Sequence, residues 1–183
     1  MIDDRPAVPH YTQLVTPDSV SHTLVASLAA CWTEVSDAGG AAGFPFPPVD
    51  PAEVTAAVDR IVTSLDPASS RLVLATLDDS LAGWLHLRRD PFPLVAHWGS
   101  VHHVQTSLRA RGLGVGAGLM RRARTIARDE MGLEQLRLAA RGGIGLEDFY
   151  GRLGWQEIGR WPGALRMGAE DDRDEILMLL SPL

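Results

Sequence analysis

Apolar residues first recur along this chain at helical spacing. Val20, Leu24, Leu28, Cys31 and Val35 share one face after Thr16-Pro17, which reads as an N-cap followed by a first-turn proline, and Gly39-Gly40 ends the run. Asp50-Pro51-Ala52-Glu53 repeats the capping pattern, and Val54, Val58, Ile61, Val62 and Leu65 supply a second apolar stripe. The period then changes. Residues 71–77 and 80–87 are strand-like runs joined by Asp78-Asp79, a tight hairpin turn. Residues 97–105 predict a further strand, and 113–129 a helix with Leu119, Met120, Ala123, Ile126 and Ala127 inward, stopped by Gly132. A strand over 135–139, a short helix over 146–153 and strands over 155–161 and 176–180 complete the chain. With a first strand near 8–15, the order is β-α-α-β-β-β-α-β-α-β-β, an α/β (α+β) arrangement forming one domain over residues 1–183.

Composition narrows the classes. At 183 residues and 45% hydrophobic content the chain can bury one ordinary core. No run approaches the ~18 apolar residues of a membrane-spanning helix, so a cytoplasmic protein with no membrane partner is expected. The formal charge of -6 and pI near 5.4 argue against a nucleic-acid partner, which would favour a basic face. The lone Cys31 can form neither an internal disulfide nor a thiolate zinc site.

Chemistry concentrates between Val104 and Leu119. There a strand ends, Arg109 and Arg111 precede Gly112, Gly114, Gly116 and Gly118, and a helix begins at once. Glycines let the main chain approach a ligand, and unpaired amides at a helix N-terminus point toward anions, so a diphosphate is the natural occupant. Glycines kept only for close packing would cost helix propensity without return. A dinucleotide fingerprint fits Gly112, Gly114 and Ala117 on paper, but that fold alternates strands and helices from its start, whereas two helices and three strands come first here.

The same stretch resembles motif A of the GNAT acetyltransferases, in which Arg/Gln-x-x-Gly-x-Gly/Ala cradles coenzyme A, with Arg109, Gly112 and Gly114 at the matching positions. A second stretch, ending in Tyr150, Arg152, Gly154 and Trp155, resembles GNAT motif B. Two departures stand out: Gly143 where an asparagine is common, and Gln105-Thr106 where a proline often follows the motif A strand. The loop after the first helix, the Gly159-to-Gly163 turn and the length are also similar to the tabtoxin-resistance acetyltransferase branch.

The resemblance implies an acetyl-CoA-dependent N-acetyltransferase that moves an acetyl group to a primary amine of a small molecule, antibiotic or amino-acid-like. It implies direct attack, with the Val104 amide stabilising the tetrahedral oxyanion and Tyr150 as general acid. Cofactor contacts would come from Val104, Arg109, Arg111, Gly112, Leu113, Gly114, Val115, Gly116, Ala117 and Arg152. Strand alternation puts Trp98, Ser100 and His102 on one face, and relatives often carry an acid or histidine there, which makes His102 the candidate base. His103 would point the other way unless a bulge exchanges the two. His97, His102 and His103 lack the spacing of a metal site.

Acceptor substrate would lie against the first two helices, with Phe44, Phe46 and Trp98 as an apolar wall. Glu34, Asp37 or the run Asp171, Asp172, Asp174 and Glu175 would draw in a cationic amine, or form solvated surface. A protein acetyltransferase and a non-catalytic acyl-CoA-binding regulatory module remain the alternatives, and family members often form homodimers.

Overall fold

The computed structural model describes residues 8–40, 43–44 and 47–183. Among these residues seven strands form one sheet in the order β1-β2-β3-β4-β5-β7-β6. They are β1 (His10–Leu14), β2 (Ser70–Leu77), β3 (Ser80–Arg89), β4 (Trp98–Thr106), β5 (Gln135–Arg141), β6 (Gln156–Gly168) and β7 (Asp171–Leu180), with α1 (His22–Asp37), α2 (Pro51–Thr63), α3 (Val115–Thr125) and α4 (Leu146–Gly151) between them in the predicted order. Every pairing is antiparallel except β4 with β5.

Both faces of the sheet are covered, which explains why β2 reads as a continuous apolar run rather than an alternating one. Leu72, Leu74 and Trp84 face α1 and α2, where Leu28, Trp32, Val54 and Val58 complete one core. Val73, Ala75, Leu85 and Leu87 face the other way, onto Val115, Leu119 and Ala123 of α3 and Tyr150 of α4. The β2–β3 hairpin turns on Asp78 and Asp79, at φ 46° and 58°. Left-handed conformation at both central residues matches the twist of the strands they join.

Several element ends differ from the sequence reading, each for a local reason. Thr16-Pro17 opens a separate 3-10 turn, Pro17–Ser19, and α1 starts later, where the Ser21 hydroxyl accepts from the Leu24 amide at 3.1 Å. A hydroxyl that can cap an amide outcompetes an upstream proline. The helix that was to run to residue 129 changes pitch after Thr125: Ile126–Glu130 is a π-turn, in which the Met131 amide reaches the carbonyl of Ile126 five residues back. The Gly159-to-Gly163 segment is not a turn. It lies within β6, which bulges between Trp161 and Leu165 and pairs with a β7 that begins at Asp171. The acidic run is therefore strand, and its partners are guanidinium groups: Arg173 on Asp171, Arg166 on Asp172 at 2.8 Å and Arg160 on Asp174 at 3.2 Å.

Candidate active site

β4 organises the site. On β3, Trp84 pairs with Gln105 and His86 with His102, so Leu85 alone stands opposite His103 and Val104. The extra residue is a bulge, and His103 takes φ 53° to make it. In place of strict alternation, His102 and His103 turn to the same side of the sheet, ring centroids 5.9 Å apart. His103 packs against Trp32 at 4.6 Å and Trp84 at 6.1 Å, and His102 against His86 at 6.3 Å.

On its other edge β4 meets β5 only over Trp98–Ser100 against Gln135–Arg137. Beyond that the strands diverge, leaving residues 101–106 of β4 without a strand partner on that edge. A cavity of about 610 Å³ fills the fork, lined by Val104 and Gln105 of β4, Leu138 to Arg141 of β5, Tyr150 of α4 and Leu177 of β7. A second cavity of about 380 Å³ lies on the α1–α2 side, lined by Trp32, Phe44, Ala57, Arg60, Ile61, Ser64, His86 and Arg88. Gly43, His102 and His103 line both, so the two histidines form the partition.

At the end of β4 a 3-10 turn, Leu108–Ala110, leads into α3. Gly112 and Gly114 both take φ 78°, and an added β-carbon would meet nothing within 4 Å at either. The chain thus turns in a left-handed conformation with open space beside it. Among the described residues, the amides of Gly112, Gly114, Val115, Gly116 and Ala117 have no acceptor within the protein, whereas that of Gly118 already bonds the Gly114 carbonyl at 2.9 Å. Such bare, convergent amides at the start of a helix fit an anion. Deeper in the helix, Gly118 answers a different need: a β-carbon there would collide with the Tyr11 phenol of β1.

Electrostatics separate the titratable groups. Burial and neighbouring positive charge pull His86 down to about 3 and His103 to about 4, and lower His102 as well, with Arg88 acting on all three. All are neutral at pH 7, and the Ser70 hydroxyl and His86 Nε2 share a hydrogen bond of 2.8 Å. Tyr150, 6% exposed, is pushed up to about 12 by burial. Arg141 is buried where β5 ends and donates to the Gly39 carbonyl beyond α1.

Of the residues singled out from sequence, Val104 and Tyr150 meet in the fork, Phe44 lies edge-on to Trp32 at 4.9 Å in the second cavity, and His102 stands between. Arg109 donates to the Leu81 carbonyl at 3.2 Å, and the Arg111 guanidinium reaches Gly40. Arg152 is exposed at the C-cap of α4, outside both cavities. Trp98 is displaced from the expected wall: it sits at the opposite end of β4, beneath the Arg137 guanidinium at 4.0 Å. Phe46 lies outside the described residues. The acidic run and Asp37, whose carboxylate holds the Val49 amide at 2.8 Å, line neither cavity except for Glu175 in the fork. Sequence reading passed over Trp32, Arg60, His86 and Arg88. The signal for the last two was present, because they alternate with Trp84 on the inward side of an apolar strand.

A forked pair of parallel strands beside a helix with bare N-terminal amides invites comparison with known proteins. The model of the acetyltransferase (GNAT) family matches residues 31–155. The chain belongs to that family. No curated protein matches the acetyltransferase by sequence. Its fold is similar to that of a candidate phosphinothricin N-acetyltransferase, at 18% identity, TM-score 0.75 and coverage of 94% of this chain and 98% of the other. A GCN5-related N-acetyltransferase from Kribbella flavida matches at 20% identity, TM-score 0.74 and coverage of 96% and 98%. A nourseothricin acetyltransferase matches at 26% identity over 64% of this chain and 68% of its own, with TM-score 0.55.

Proposed function

We propose that this acetyltransferase moves the acetyl group of acetyl-coenzyme A to the primary amine of a small molecule. The observation that carries the reading is the set of bare amides of Gly112 and of Gly114 to Ala117, opening beside a fork whose far wall is the histidine partition to a second cavity. When bound, acetyl-coenzyme A supplies an acetyl thioester, activated for attack by an amine.

The chain's residues divide the remaining work. The amides of Gly112 and of Gly114 to Ala117 hold the diphosphate, with Arg109 and Arg111 adding positive charge nearby, and Leu113 lies on the same exposed turn. Val104, on the edge of β4 that has lost its partner, offers its amide to the acetyl carbonyl, where negative charge develops. Tyr150 stays protonated at working pH because burial holds its phenol at about 12. Free thiols ionise near pH 8.5, so complete proton transfer from this phenol to a departing thiolate runs uphill. Its contribution is a donated hydrogen bond to the developing negative sulfur. His102, kept neutral by its surroundings, is free to accept the proton an amine must lose, directly or through water. Phe44 walls the acceptor cavity together with Trp32.

Two measurements test this. Coenzyme A should raise the melting temperature, and acetyl-CoA should release free thiol when an amine acceptor is present. A protein whose melting and titration calorimetry ignore coenzyme A refutes the reading. Binding without turnover across a broad amine panel leaves an acyl-CoA-binding module instead.

A further inference from the structure

The cavity between β3, β4 and the α1–α2 layer has a chemical bias opposite to the cationic attraction expected from sequence. Among the described residues its lining holds two guanidinium groups, three imidazoles and one hydroxyl, and no carboxylate. Arg60 arrives from α2 and Arg88 from β3, on opposite walls, and both are exposed at the mouth. Neither is in a salt bridge or donates a side-chain hydrogen bond among the described residues, whereas Arg160, Arg166 and Arg173 elsewhere on the surface each hold a carboxylate. Residues 41–42 and 45–46, next in sequence to Gly43 and Phe44, are Ala, Ala, Pro and Phe and carry no charge. Apolar surface from Trp32, Phe44 and Ile61 lies beside these cations.

Such a cavity repels a polyamine. It attracts an anion, and guanidinium groups suit planar carboxylates and tetrahedral phosphorus oxyanions in particular. We propose that the acceptor is an amine that also carries a carboxylate, phosphinate or phosphonate group, held by Arg60 and Arg88, with its nitrogen toward His102 and His103. This deepens the acetyltransferase reading and rests on it.

The arrangement serves the reaction as well as selection. An amine in a compact amino acid is protonated in water, and only its neutral form attacks a carbonyl. Nearby positive charge disfavours the ammonium form, as the field of Arg88 already does for His86, His102 and His103. The same guanidinium groups therefore hold the anionic end and help to release the proton at the other.

Matched acceptors test the proposal: an α-amino acid against its carboxamide, an aminoalkylphosphonate against the alkylamine of equal length, and putrescine as the dication. Thiol release should give kcat/KM at least ~10-fold higher for the anionic member of each pair. Arg88→Gln and Arg60→Gln should raise KM for anionic acceptors by ~10-fold or more and leave coenzyme A affinity unchanged, with Arg88→Lys recovering part of the loss. Preference for putrescine or for the neutral members, or an unaltered KM in both glutamine variants, overturns the proposal while leaving the acetyltransferase function standing. Where turnover is too slow to follow, the N-acetylated amino acid and its amide are titrated into the coenzyme A complex by calorimetry. Binding of the acid alone, lost in the Arg60→Gln, Arg88→Gln double variant, supports the proposal; equal binding of both, or of neither, overturns it. Failure of coenzyme A itself to bind would instead strike the parent reading.

Discussion

His102 and His103, consecutive in the chain, present their rings to the same cavities, because one residue of β3 stands opposite two of β4. The bulge puts two neutral imidazoles where a regular strand would put one. His102→Gln is expected to lower kcat by ~10² and remove the acid limb of the pH–rate profile, while His103→Gln keeps that limb. Steady-state kcat at saturating acceptor, followed from pH 9 down to the lowest pH at which the protein stays folded, decides it: a limb that persists in the His102 variant transfers the proton acceptor to another group.

For Tyr150 the prediction concerns rate without stability. Its ring packs against Phe149 at 5.0 Å and Trp155 at 6.1 Å, contacts that phenylalanine would keep. Tyr150→Phe should therefore melt within a few degrees of the parent and lose ~10-fold to 10²-fold in kcat, with coenzyme A affinity retained. An undiminished kcat removes the residue from the mechanism.

The depressed histidines also make stability depend on pH. Unfolded, each titrates near 6.5; folded, His86 titrates near 3 and His103 near 4. Between these values the unfolded chain binds more protons, so stability is full above pH 6.5 and falls as the solution becomes more acidic. Each histidine contributes a slope of about 1.4 kcal/mol per pH unit over its window, as an order of magnitude. Denaturant titrations at pH 4.5 to 7.5 should show this slope, and His103→Gln should remove roughly one proton's share. A flat profile would mean that the rings are solvated.

At the helix N-terminus, conformation and binding can be separated. Gly112→Ala places its methyl in open space, so the folded protein bears only the strain of φ 78°, about 1–2 kcal/mol. That open space is where the diphosphate is proposed to lie, and coenzyme A affinity should fall by more than ~10-fold. Calorimetry alongside thermal melting compares the two losses. Gly118→Ala should do the reverse, costing about 1–3 kcal/mol by forcing the Tyr11 phenol away, with Tyr11→Leu relieving it and coenzyme A affinity unaffected.

The element order was legible in sequence because each stretch carried its own signal: the Asp50-Pro51 cap of α2, the Asp78-Asp79 turn, the glycines before α3. What was not legible depends on contacts between distant segments. Nothing local to His103 says that the strand will bulge there, since the cause lies in its pairing with β3. The β6–β7 hairpin was read too short because its outer half is polar, and it runs on through cross-strand ion pairs such as Arg166 with Asp172. The same fact decides between the two readings of the acidic run: strand register gives Asp171, Asp172 and Asp174 arginine partners, as befits solvated surface. Trp98 lay on the expected strand but at its wrong end, a difference of distance along β4 that alternation alone does not measure.

At its centre the sheet is held by a short pairing of β4 with β5, three residues from each strand, extended by the Glu134 amide on the His97 carbonyl at 2.8 Å. Mechanically the sheet is two antiparallel plates, β1-β2-β3-β4 and β5-β7-β6, joined along a short seam. A ligand wedged into the gap below that seam would act as mortar, bracing one plate against the other, so its grip should be felt as slower amide exchange on both sides of the joint at once.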